Sequence, residues 1–136
     1  MRFIERLEKS RNFWFLLILS VIFFILRLPS LFEPYWYGDE GIYQAIGITL
    51  HDGGTIYKDA FDNKPPLLYL IYALFNSEQY LIRAVSLIFG LISVWFFFRL
   101  SSELFQKTKK KLIYFITAGF AILLGLPLIE GNIANS

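Results

Sequence analysis

FWFLLILSVIFFILRLPSLF, residues 13–32, is the stretch on which the fold of this chain turns. Residues 13–28 are apolar except for Ser20 and Arg27. Continued through Phe32, the run reaches about 20 residues, the length of helix that crosses roughly 30 Å of hydrocarbon. A cleaved signal peptide is the competing reading, because Arg2, Arg6, Lys9 and Arg11 precede the run. Arg27-Leu28-Pro29-Ser30 offers no small-residue cleavage pattern, which favours a retained span. A second span is expected over residues 80–100, with Arg83 and Arg99 near its ends, where long cationic side chains snorkel to the interface. A third is expected over residues 112–129, carrying Gly119, Gly125 and Pro127.

Composition agrees with this reading. Of 136 residues, 56% are hydrophobic and 19% aromatic, and the mean hydropathy is +0.52. Fifteen Phe, eight Tyr and three Trp exceed what a soluble core of this size needs, and suit lipid and headgroup boundaries. The net charge of +2 says little, and no nucleic-acid partner is expected. The absence of cysteine excludes disulfides, thiolate metal sites and cysteine nucleophiles.

Between the first two spans, residues 65–75 open on two prolines and continue as an apolar run. Eleven helical residues cover only about 16 Å, too little to cross, so a re-entrant or interfacial helix is expected, capped by Asp62 or Asn63 with a proline in its first turn. Asn76-Ser77-Glu78-Gln79 then breaks and recaps the chain ahead of the second span. The basic N-terminus and the lysines at 107 and 109–111 both belong in the cytoplasm by the positive-inside rule, which requires an even number of crossings between them. The expected fold is therefore an all-α polytopic membrane protein with three transmembrane helices and an extracytoplasmic loop over residues 33–79. The N-terminus is inside and the membrane is the plasma (inner) membrane. The chain stops directly after its third apolar run, and is read as the N-terminal part of a longer protein.

The loop carries the chemistry. Asp39 and Glu40 follow the aromatic belt Tyr35-Trp36-Tyr37, and Ile42, Ile46 and Leu50 recur at helical spacing until Asp52-Gly53-Gly54. That pattern reads as an amphipathic helix lying on the membrane. Asp39 at its N-terminus is either an N-cap or a general base, and the two roles are compatible. Lys64 stands between Asn63 and two prolines at the start of the short helix, where amides and ammonium together favour a phosphate; the alternative is an ordinary snorkelling lysine. Lys58, Asp59 and Asp62 read as solvated loop charges, and His51 as a solvent-facing helix end, since it has no second ligand at metal spacing. Arg83 either anchors the second span or faces the loop. Glu130 either joins Asp39 or marks the membrane boundary.

Arg27-Leu28-Pro29, Asp39 through Tyr43, Phe61 through Tyr69 (FDNKPPLLY) and Glu130-Gly131-Asn132 together resemble the beginning of a GT-C glycosyltransferase. The likeness is greatest to the protein-mannosyltransferase and aminoarabinose-transferase-like branch. It covers essentially the whole chain and rests on the ordered combination of motifs, an Asp-Glu pair alone being weak. The resemblance implies an enzyme that moves a sugar from a polyprenyl-phosphate donor to an extracytoplasmic acceptor. Asp39 and its neighbour Glu40 would be catalytic, Lys64 would contact the donor phosphate, and Asn63, Arg83 and Glu130 would line the substrate site. Asn63 stands where the aminoarabinose transferases carry a glutamate, which removes a ligand from any metal site there; no metal ligand is assigned, and a divalent ion is left open as a cofactor. The family's later spans are absent from these 136 residues, so the stretch alone is expected to be inactive. The rival from another class is a noncatalytic three-span module that binds a lipid carrier or acts as a scaffold.

Overall fold

The computed structural model describes residues 2–32, 38–106 and 110–126, with side chains from residue 10 onward. Among these residues the chain is helical and has no strand. The elements are α1 (Arg2–Arg27), a 3-10 turn (Leu28–Leu31), α2 (Gly38–His51), α3 (Pro66–Leu74), α4 (Gln79–Leu104) and α5 (Lys110–Gly125). Among the described residues two stretches are long and apolar enough to cross a membrane: Ser10–Leu31, with 22 residues, and Gln79–Leu104, with 26. At 1.5 Å per residue they span about 33 and 39 Å. Their mean hydropathy is 2.2 in both cases, and only 28% of each apolar window is buried, so most of the apolar side chains face outward. The expected third span runs past α5, which has 16 residues as described, into residues 127–129, which lie outside the described residues.

The helices fall into two compact units. One contains α1, residues 87–104 of α4, and α5. Leu19, Phe23, Val94 and Ala121 form one of its buried clusters, and Leu16, Phe98 and Ile113 a second. Gly90 lets α4 approach the Phe23 ring, since a Cβ there would stand 2.6 Å from its Cζ. Trp95 Nε1 donates to Ser20 Oγ at 2.9 Å, and Tyr114 Oη to Asn12 Oδ1 at 2.5 Å.

The other unit, residues 30–86, contains the loop. Here α2 packs on α3 around buried Tyr43, Ile46, Tyr69, Tyr72 and Ile82. Close approach depends on Gly47, where a Cβ would meet Tyr72 Cβ at 2.5 Å and Ser77 Oγ at 2.7 Å. The buried stripe of α2 is therefore Glu40, Tyr43, Ile46, Gly47 and, partly, Leu50, while Ile42 is exposed. Helical spacing alone put Ile42 on the apolar face, but α3 lies a position further round and takes Tyr43 instead. Asp52-Gly53-Gly54 ends α2 as expected. Gly53 adopts φ 90°, open to glycine at no steric cost, and Gly54 N–H bonds back to Thr49 O at 2.8 Å.

One local expectation differs from what is found. Neither Asp62 nor Asn63 caps α3; Pro65 occupies the cap position without any side-chain bond, and Pro66 opens the helix. Proline at the first helical position has no N–H in need of a partner, so a capping carboxylate gains less there. Ser77, in the turn ahead of α4, is buried with φ 56°, and its Oγ donates to Gln44 O at 3.0 Å, tying the α3–α4 turn to α2.

Candidate functional site

Asp39 lies in the first turn of α2 and is half-buried. Four residues on, on the same helix face, the buried Tyr43 donates its hydroxyl to Asp39 Oδ2 at 3.3 Å. Tyr43 meets Tyr69 of α3 edge to face, ring centroids 5.9 Å apart, and meets Tyr72 at the same distance. Tyr69 in turn donates to Asp62 Oδ2 at 2.7 Å. Two carboxylates from different parts of the loop thus flank one pair of packed tyrosines.

Both phenols resist ionisation. Burial drives the Tyr43 hydroxyl far above its ordinary value, helped by the charge of Asp39, the hydrogen bond to it and the charge of Asp62. Tyr69 is pushed up to about 12, first by burial and then by its bond to Asp62, with the Lys64 amide pulling the other way. Both are therefore neutral hydrogen-bond donors at physiological pH.

Lys64 is placed beside Tyr69 through its backbone. Its N–H donates to Tyr69 Oη at 3.1 Å, and its carbonyl accepts from Tyr57 Oη at 3.3 Å. Asn63 is exposed, and its N–H donates to Asp62 Oδ1 at 2.7 Å. Among the described residues neither Asp39 nor Lys64 enters an ion pair. Glu40, by contrast, is turned inward. Its Oε2 accepts from Arg83 Nη2 at 3.0 Å, and Arg83 Nη1 donates to Ser30 O at 2.6 Å. Glu40 is 1% exposed and Arg83 2%.

Of the residues singled out in the sequence, Asp39 accepts from Tyr43, Lys64 donates its backbone N–H to Tyr69, Asn63 donates its N–H to Asp62, and Glu40 and Arg83 meet one another. Glu130 lies outside the described residues. Arg83 does not snorkel outward, because its guanidinium finds a carboxylate and a carbonyl inside. His51 is exposed, with Nδ1 3.1 Å from Ala73 O. In the sequence, Asp62 reads only as a helix cap or a solvated loop charge, and no role is assigned to the Tyr43 or Tyr69 hydroxyl. The Asp39–Tyr43 pair was open to discovery from its four-residue spacing, but Asp62 looked like any loop carboxylate until α3 brought Tyr69 to it. Among the described residues no three His, Cys, Asp or Glu side chains converge. No family model, curated protein or solved structure matches the chain.

Proposed function

We propose that this chain is the N-terminal part of a GT-C-type membrane glycosyltransferase, which moves a sugar from a polyprenyl-phosphate donor to an extracytoplasmic acceptor. The observation that carries this reading is that the Asp39 carboxylate and the Lys64 backbone N–H, from two separate motifs, bond the two packed tyrosines Tyr43 and Tyr69, with neither residue in an ion pair among the described residues. A carboxylate and a lysine brought by separate motifs to one tyrosine pair suit a reaction in which a proton is removed at one point and negative charge appears at another.

In this mechanism Asp39 takes the proton from an acceptor hydroxyl as its oxygen attacks the anomeric carbon. The bond from that carbon to the phosphate oxygen breaks, and the electron pair leaves with the polyprenyl phosphate, whose charge Lys64 stabilises. Direct displacement inverts the anomeric centre. Tyr43 orients the Asp39 carboxylate through its hydrogen bond. Glu40 and Arg83 hold the start of α2 in place. The outward-facing apolar residues of Ser10–Leu31 and Gln79–Leu104 suit a multi-pass protein whose loop 33–79 lies outside the inner membrane, where a lipid-held donor reaches it.

The test is sugar transfer from a defined lipid-linked donor by the protein expressed in its own membrane. Asp39→Asn is expected to abolish transfer while donor binding persists, and Lys64→Ala to weaken donor binding. Undiminished transfer by Asp39→Asn removes the base assignment.

A further inference from the structure

Lys64 is held at both ends of its own backbone by tyrosine hydroxyls, which is an unusual degree of control for a loop residue. Its N–H donates to Tyr69 Oη at 3.1 Å and its carbonyl accepts from Tyr57 Oη at 3.3 Å. The bond from Lys64 is only half of what Tyr69 does. A phenol has one proton to donate and lone pairs to accept with, so Tyr69 accepts from Lys64 while donating to Asp62 Oδ2 at 2.7 Å. Asp62 closes the loop by accepting the Asn63 N–H on its other oxygen at 2.7 Å. Charge on Asp62 polarises the phenol, and serial hydrogen bonds of this kind reinforce one another in a low-dielectric setting. The ring of Tyr69 is 0% exposed, clamped by Tyr43, so its hydroxyl has a fixed address that the exposed loop itself could not supply.

We propose that Asp62 and Tyr69 are positioning residues: a carboxylate–phenol latch that fixes the backbone of the Asn63–Lys64 turn, and thereby presents the Lys64 ammonium to a phosphate ester. Neither touches the reacting atoms. Both act through Lys64, so the functional half of this inference rests on the phosphate role proposed above for that lysine. The prolines that follow make the latch necessary. Pro65 and Pro66 have no N–H, and Pro65 caps α3 without a side-chain bond, so the helix beginning does not itself tie down the preceding turn. The bonds that hold Asn63 and Lys64 come from Asp62, Tyr69 and Tyr57.

The test uses the whole protein in lipid nanodiscs, comparing wild type, Tyr69→Phe, Asp62→Ala, the double variant and Lys64→Ala. The first readout is amide exchange at Lys64, which is easily localised because the next two residues have no amide. Tyr69→Phe is expected to speed it by about tenfold, the factor carried by one hydrogen bond of ordinary strength, and Asp62→Ala added to Tyr69→Phe to speed it little further. Unchanged Lys64 exchange in Tyr69→Phe, or fully additive effects in the double variant, overturns the latch. The second readout is binding of undecaprenyl phosphate against undecaprenol. Tyr69→Phe is expected to weaken the phosphate severalfold and leave the neutral alcohol unchanged, and Lys64→Ala is expected to do the same. Equal weakening of both lipids by Tyr69→Phe marks general damage to the fold and overturns the positioning role. If Lys64→Ala binds the phosphate as tightly as wild type, the phosphate reading of Lys64 fails, and the exchange measurement alone decides the latch.

Discussion

Removing the charge of Glu40 should cost this protein far more stability than removing that of its neighbour Asp39. Glu40 and Arg83 are 1% and 2% exposed, their charged atoms are 3.0 Å apart, and Arg83 Nη1 is committed to Ser30 O at 2.6 Å. Glu40→Gln keeps the side-chain shape but leaves a guanidinium in the interior without its carboxylate. Breaking a buried pair from one side costs about 3–5 kcal/mol, which is on the order of a hundredfold or more in the folding equilibrium. Asp39 is half-buried in the first helical turn and accepts one 3.3 Å bond, so Asp39→Asn loses chiefly its interaction with the helix dipole, about 0.3–1 kcal/mol. Arg83→Met alone should resemble Glu40→Gln, whereas the double variant Glu40→Gln/Arg83→Met should cost much less than the two singles summed, because no charge is stranded. Denaturant or thermal unfolding of the detergent-solubilised protein, read through tryptophan fluorescence or circular dichroism, measures all four. The reasoning fails if Glu40→Gln lies within about 1 kcal/mol of wild type, the range of a solvent-exposed pair, or if the single costs simply add.

Gly47→Ala should destabilise the α2–α3 contact by about 1–3 kcal/mol, because its Cβ would stand 2.5 Å from Tyr72 Cβ and 2.7 Å from Ser77 Oγ; an unfolding midpoint equal to wild type would mean the helices part freely there. Alkaline pH should weaken the same unit. Tyr69 titrates at about 12 in the folded protein against 10.0 when unfolded, and Tyr43 is shifted the same way, so the folded state retains protons that the unfolded chain releases. Stability is then full below pH 10 and falls as pH rises from 10 through about 12. Denaturation midpoints across that range, with tyrosinate absorbance followed in parallel, should show the decline, and the Tyr43→Phe/Tyr69→Phe variant should flatten it.

The apolar runs were legible from residue order, since hydropathy accumulates along consecutive positions and needs no knowledge of neighbours. The residues expected over 80–100 lie within α4 (Gln79–Leu104), and the Asp52-Gly53-Gly54 stop of α2 was readable because glycine relieves a backbone constraint locally. Asp39, Asn63 and Lys64 stood out as charged or polar residues beside prolines, helix starts and aromatic belts. Partner choice was not legible in the same way. Glu40 and Asp39 are adjacent carboxylates with nothing between them in sequence to tell a buried ion pair from an open site. A helix turns about 100° per residue, so neighbours leave it in different directions, and what lies in each direction depends on chain 43 residues away, at Arg83.

Asp62 makes the same point from the opposite side. Read as a loop charge, it belongs to water; in the folded unit it accepts from Tyr69, and through that phenol it governs the Lys64 turn. Local order thus set the two apolar helices and the charged and polar residue types in the intervening loop, because those follow from composition and short-range backbone preference. The assembly of α2 on α3 set which carboxylate is buried against arginine, which is left at the tyrosine pair, and which tyrosines are held neutral. Those outcomes depend on desolvation and on contacts that exist only once distant segments have met.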